Sequence, residues 1–236
     1  MKNLPILPQP DDETCGPTSL HAVYAHHGLN LDLMEVIRDI PRLEGGGTLA
    51  VLLGQDALRR GFEATLYSYN LRVFDPTWKN LSREVLIQKL EEQQSHKHGK
   101  RFSVASRGYL DFLKQGGCLH FDDPTPTFFR ELFQKNLPVL CGLSATYLYQ
   151  TARERTRSNG QVVFDDIRGE PSGHFVVLCG GEEDRVCVAD PNRDNPFSES
   201  LYYEVDIHRL IPSIFMGVMT YDANLLVIAP SNRMES

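Results

Sequence analysis

Apolar positions along the chain switch between helical and strand-like spacing, and the switches mark its elements. From Leu20 the run Leu-His-Ala-Val-Tyr-Ala-His-His predicts a helix that closes at Gly28, a suitable C′ residue. A second helical pattern covers residues 31–40, with Leu33, Val36, Ile37 and Ile40 on one side, and stops before Pro41. Thr48 is the expected N-cap of a third helix reaching about Arg60. Phe62 to Tyr69 alternates as a strand does. Further helices are predicted from Ser82 to Gln94, from Val104 to Gln115, and over 127–134 with Pro126 near the start. Short apolar runs at 118–121 and 137–143 read as strands. Residues 145–149 are rich in strand formers yet also fit a helix.

Toward the C-terminus, residues 174–190 carry two apolar runs around a glycine-containing turn, a hairpin signal. A turn centred on Glu182 sets His174 opposite Asp190. Directly opposed Cβ atoms lie about 4.5–5.5 Å apart, within reach of a carboxylate that orients an imidazole. A glycine bulge would shift that register by one. The same pairing puts Val176, Leu178, Val186 and Val188 on the face of His174, and Cys179 and Cys187 on the other as core filling.

Near the N-terminus an extended, proline-rich lead-in (residues 4–9) precedes Gln9-Pro-Asp-Asp-Glu-Thr-Cys15-Gly-Pro-Thr-Ser-Leu20. Proline has no N–H, and only the first four N–H groups of a helix lack an internal partner, so Pro17 must lie in a first turn. Thr14 is then the natural N-cap and Cys15 the first helical residue. A helix N-terminus favours a thiolate. Asp11, Asp12 and Glu13 oppose one; facing solvent, their charges are screened.

The composition narrows the class. With 41% hydrophobic and 23% charged residues the chain reads as an ordinary globular protein, and 236 residues without repeat or linker fit one domain. It has 24 basic and 31 acidic residues, a net charge of −7 and no basic run, which argues against nucleic acid and anionic membranes as partners. No apolar stretch approaches the roughly 20 residues that span a bilayer. Met1-Lys2-Asn3-Leu4-Pro5 does not read as a secretion signal, so the cytoplasm is the expected location. Cysteines 15, 118, 141, 179 and 187 are odd in number and scattered, unlike a disulfide framework; the last four sit in apolar surroundings and read as buried hydrophobes.

Other features have plain readings. Gly45-Gly46-Gly47 lacks the lysine-serine ending of a nucleotide loop and reads as a connecting loop or cleft wall. His96 and His98 stand in a basic loop without further ligands, so neither metal nor cofactor is expected. Arg153, Arg155 and Arg157 read as a solvated loop, the sharper alternative being a lip that holds a substrate carboxylate. The aromatic residues Tyr67, Tyr69, Trp78, Phe128 and Phe129 are expected in core packing.

A helix-start cysteine, a glutamine six positions upstream and a strand-start histidine with a paired aspartate form a complete set for acyl transfer. These residues, with the Cys-Gly-Pro-Thr-Ser-Leu run and Asp190-Pro191, resemble the papain-like cysteine peptidases (clan CA). The nearest group is the one that trims double-glycine leader peptides beside bacteriocin transporters, with its stand-alone relatives (family 39). Gln9, Cys15, His174 and Asp190 match the four positions of that group's pattern. The resemblance covers the first thirty or so residues and the last seventy or so. It implies an α+β fold, in which an N-terminal helical part carrying the cysteine packs on a C-terminal antiparallel sheet carrying His174 and Asp190. Cys15 and His174 are 159 positions apart, more than the resemblance leads one to expect, so residues of about 70–137 read as a helical insertion in a single domain spanning 1–236.

The implied chemistry is cleavage of a peptide or other small amide through a thioester. His174 takes the Cys15 proton, Asp190 fixes the ring, and Gln9 with the Cys15 N–H holds the oxyanion. An acyl or γ-glutamyl transferase would use the same triad, and an amine-acceptor adduct distinguishes it from a hydrolase. A non-catalytic binding module of the same fold would leave Cys15 with the reactivity of an ordinary free thiol.

Overall fold

The computed structural model describes residues 4–157 and 159–231; Met1, Lys2 and Asn3 of the N-terminal run lie outside them. In chain order the helices are α1 (Cys15–His26), α2 (Leu33–Asp39), α3 (Ala50–Arg59), α4 (Arg83–His96), α5 (Lys100–Lys114), α6 (Pro126–Gln134), α7 (Ala145–Tyr149) and α8 (Ile207–Met216). The strands are β1 (Phe62–Ser68), β2 (Cys118–His120), β3 (Val139–Ser144), β4 (Glu154–Thr156), β5 (Val162–Phe164), β6 (Gly173–Glu182), β7 (Arg185–Ala189), β8 (Tyr202–Asp206) and β9 (Asn224–Pro230).

Seven strands form one sheet in the order β2-β1-β9-β3-β6-β7-β8, and β4 pairs with β5 separately. Every pair in the large sheet is antiparallel except β1 with β2, so the sheet is mixed and draws β1 and β2 from the helical half of the chain. Side-chain alternation gives the sheet two apolar faces. Leu66, Leu140, Phe175, Val177 and Leu226 pack under α1, α3 and α5. Cys141, Val176, Leu178, Val188 and Leu225 pack against the apolar side of α8. The fold is α+β, with N-terminal helices, one bearing a buried cysteine, packed on a sheet that holds a buried histidine–aspartate pair.

Helix ends follow local chemistry, with three informative differences. Helix α1 runs into a Schellman turn: Gly28 has φ 85°, Leu29 N–H donates to Tyr24 O and Gly28 N–H to Ala25 O. Helix α3 starts after Leu49 because the Thr48 hydroxyl donates to Pro41 O (3.0 Å) instead of capping. Helix α5 begins four residues before the expected Val104, since Phe102 is buried and extends the apolar face. Residues 145–149 are helical: Ser144 accepts from Tyr147 N–H, and Gln150 ends the turn in a left-handed conformation, φ 55°.

The 174–190 hairpin pairs differently from the simple turn. Val177 faces Ala189 and Leu178 faces Val188, while beyond a bulge Gly181 faces Val186. The offset at the His174 end is two residues, so Asp190 lies diagonal to His174 rather than opposite it. An even shift preserves the face, and Val176, Leu178, Val186 and Val188 do share one core, with Cys179 and Cys187 on the other side. Among the described residues no helix is long and apolar enough to cross a membrane.

Candidate active site

Pro17 confines the helix start, and Cys15 is the first residue of α1, 8% exposed. Thr14 occupies the N-cap, but its side chain does not cap. Its hydroxyl donates to Asp11 O (3.2 Å), closing a tight acidic turn in which Asp11 Oδ1 accepts from Glu13 N–H (2.9 Å). The first-turn N–H groups of Cys15 and Gly16 thus lack a side-chain cap, the condition for binding an anion there. Helix α1 is fixed to the strand of the histidine: Ser19 Oγ donates to Phe175 O at 3.2 Å. Gly16 permits this approach, because a Cβ there would stand 2.7 Å from Thr48 Cγ2 and 3.2 Å from Phe175 Cδ2.

His174 opens the core segment of β6 and is 7% exposed; Asp190, just past β7, is fully buried. His174 Nε2 donates to Asp190 Oδ1 at 2.8 Å. Asp190 accepts three further hydrogen bonds, from Tyr149 Oη (2.6 Å) and Tyr203 Oη (2.8 Å) at Oδ2 and from Asn192 N–H (2.8 Å) at Oδ1. Burial opposes the charge on Asp190, but His174 and the hydroxyl and amide donors outweigh it and hold the carboxyl below its ordinary range. Burial likewise opposes a charged His174. Asp190, by charge and hydrogen bond, and then Cys15 overcome it and raise the ring to about 10. Burial and the Asp190 charge push both tyrosines up, so they stay donors. With Nε2 committed to Asp190, Nδ1 is the ring nitrogen left for a second partner.

Gln9 is joined to the aspartate loop, its N–H donating to Pro191 O at 2.9 Å. One hydrogen of its side-chain amide goes to Asp11 O (2.9 Å), which leaves the second hydrogen of the NH2 group unassigned. Gln9 and His174 line a common groove of about 540 Å³ with Tyr149, Glu154, Phe164 and Asn192.

Several contributors have no signal in the local sequence. Tyr149 and Tyr203 reach Asp190 from α7 and β8, 41 and 13 residues away along the chain. Arg42 stands 3.4 Å from both Asp11 and Glu13 and offsets two of the three charges beside Cys15, although all three acids are exposed as expected. Gly46, at φ 94°, packs where a side chain would collide with Glu13, so the glycine triplet backs the acidic turn. Gly173 admits Asp222, whose buried carboxyl is pushed up to about 7 by burial; a Cβ at 173 would collide with it.

Two expectations need correction. Arg153 and Arg155 are not simply solvated: they belong to the β4–β5 hairpin, where Arg155 pairs with Asp165 (3.3 Å) and Arg153 donates to Asp166 O. The hairpin presents Glu154, Val162 and Phe164 to the groove instead. Cys118 is exposed rather than buried, and Cys187 is half-buried.

No protein-family model and no curated protein matches the chain. Solved structures do. A C39-like peptidase from Bacillus anthracis is 15% identical, with 98% of this chain and 96% of that one covered and a TM-score of 0.51. The peptidase domain of Streptococcus ComA, a bifunctional ABC transporter of a quorum-sensing pathway, is 13% identical over 96% of this chain and 98% of its own, TM-score 0.44. A double-glycine-motif protease from an AMS/PCAT transporter, solved with its leader peptide, is 15% identical over 96% and 91%, TM-score 0.44. At such identities the first likeness is one of fold alone: the chain shares the fold of that C39-like peptidase.

Proposed function

We propose that the chain is a cysteine-dependent hydrolase that cleaves a peptide or other amide bond through a thioester acyl-enzyme. The observation that carries this reading is the buried His174–Asp190 pair, 2.8 Å apart, with His174 on the strand to which the Cys15 helix is anchored. His174 takes the thiol proton at Nδ1, and Asp190 at Nε2 keeps the ring oriented and supports its charge. The thiolate attacks the carbonyl of a substrate held in the groove that Gln9 and His174 line. The Cys15 N–H and the Gln9 amide donate to the oxyanion, a contribution of about 3–4 kcal/mol per donor in sites of this kind. The C–N bond then breaks as His174 gives the thiol proton to the departing amine, leaving the thioester. Water, losing a proton to His174, adds to the thioester carbonyl, and the C–S bond breaks to release the acid as His174 passes the new proton to the thiolate. The segment at about 70–137 is, on this reading, an insertion in a single domain, consistent with a groove whose lining residues all come from outside it.

Alkylation tests the nucleophile. With limiting iodoacetamide near neutral pH, peptide mapping is expected to find Cys15 modified before the other four cysteines, and His174→Ala to slow that reaction sharply. Equal rates in the two proteins, or another cysteine reacting first, would defeat the assignment. The pH profile tests the pair. An imidazolium held by Asp190 keeps its proton to about pH 10, so the basic limb of kcat/KM is expected there. A limb at the ordinary imidazole value of 6.5 would show that Asp190 does not act on the ring.

A further inference from the structure

The bulge between β6 and β7 sets two residues, Cys179 and Gly180, against the single residue Cys187, since Leu178 faces Val188 and Gly181 faces Val186. It brings the two thiols together: Cys179 Sγ lies 3.2 Å from Cys187 Sγ and donates to it. That separation exceeds a disulfide bond of about 2.05 Å by little more than 1 Å. Gly180, at φ 140°, is the residue in the bulge that can turn to close the gap. Cys179 is 1% exposed and Cys187 half-buried, and both line a cavity of about 650 Å³ at the hairpin end remote from His174.

We propose that Cys179 and Cys187 form a site of reversible oxidation, in which a hydroperoxide entering the cavity converts the two thiols to a cross-strand disulfide. Cys187, the more exposed, reacts first. Its thiolate attacks one peroxide oxygen, the O–O bond breaks, and the leaving oxygen departs as water, which leaves a sulfenic acid on Cys187. The Cys179 sulfur then attacks the Cys187 sulfur; the S–S bond forms, the S–O bond breaks, and a second water leaves with the Cys179 proton. Two thiols and one hydrogen peroxide give one disulfide and two waters, two electrons passing from sulfur to peroxide. The hydrogen bond from Cys179 favours the first step by stabilising negative charge on Cys187. The link would staple the strand that carries His174 to the one that leads into Asp190, without touching either residue.

Trypsin separates the two cysteines at Arg185, so the test needs no variant. Reduced full-length protein is treated with hydrogen peroxide, its remaining thiols are alkylated, and it is digested without reductant. The expected product joins peptides 169–185 and 186–193, weighs two hydrogens less than their sum, and separates on reduction. Cys187→Ser should abolish the linked species, and Cys179→Ser should stall oxidation at a Cys187 sulfenic acid that a 1,3-diketone probe captures. Recovery of both peptides individually alkylated while another cysteine is oxidised would overturn the proposal, as would a link from Cys187 to any cysteine but Cys179.

Discussion

Replacing Cys15 by serine is expected to lower turnover by about 10⁶-fold, the scale of losing the nucleophile in a triad that acts as a unit. The reason is the acidity of the attacking group: an imidazole partly deprotonates a thiol, whereas an alcohol keeps its proton until the transition state. Serine is close to cysteine in size, so the edge of the core around residue 15, itself 8% exposed, loses little volume and the fold should persist. Rates on any peptide or amide that the parent protein hydrolyses, together with thermal unfolding of both proteins, check this. Activity retained within tenfold in a folded Cys15→Ser protein would remove Cys15 from the chemistry.

Asp190→Ala should cost both activity and stability. The substitution leaves His174 Nε2, Tyr149 Oη, Tyr203 Oη and Asn192 N–H without an acceptor in a fully buried position. Breaking a buried pair in this way costs about 3–5 kcal/mol, and losing the orienting carboxylate about 10⁴-fold in turnover. The sign of the pH dependence follows from the two shifts. His174, raised from 6.5 to about 10, contributes stability that is complete below pH 6.5 and is lost as the pH rises through about 10. Asp190, held below 3.8, contributes stability that is present above that value and is lost as the pH falls through its lowered pKa. The stability gap between parent and Asp190→Ala is therefore expected to be widest between pH 3.8 and 6.5 and to shrink on either side. Urea unfolding across pH reads it directly; a gap that does not vary with pH would mean that the pair carries no linked protons. Asp190→Asn separates charge from shape, since it keeps one acceptor oxygen but should move the basic limb of the rate profile toward the ordinary imidazole value.

The hairpin shows how far a pattern argument reaches. Alternation assigned His174 and the two cysteines to opposite faces, and that holds because a register change of two leaves every side chain on its own face. The direct opposition of His174 and Asp190 does not hold, because the turn lies beyond Glu182, at Glu183 and Asp184, which moves the pairing by three residues, and the bulge at Cys179 and Gly180 takes one of them back. The two residues still meet, since a diagonal neighbour lies on the same face within reach of an imidazole. The acidic run is the opposite case. Its exposure was legible, but Arg42, which offsets two of its charges, approaches from the loop after α2.

By itself the sequence determined what depends on a few adjacent residues: the start of the Cys15 helix, which the missing N–H of Pro17 confines; its Gly28 end; and the two faces of the hairpin. Tertiary structure decided what depends on pairings between distant segments. It brought β1 and β2 into the sheet, tied the start of the 145–149 helix to Ser172 O through Ala145 N–H, and converged Tyr149 and Tyr203 on Asp190. The physical reason is the reach of the forces. Backbone hydrogen bonding and side-chain alternation act over a few residues, whereas a buried carboxylate needs every donor that packing can bring to it, and those donors come from wherever the chain returns.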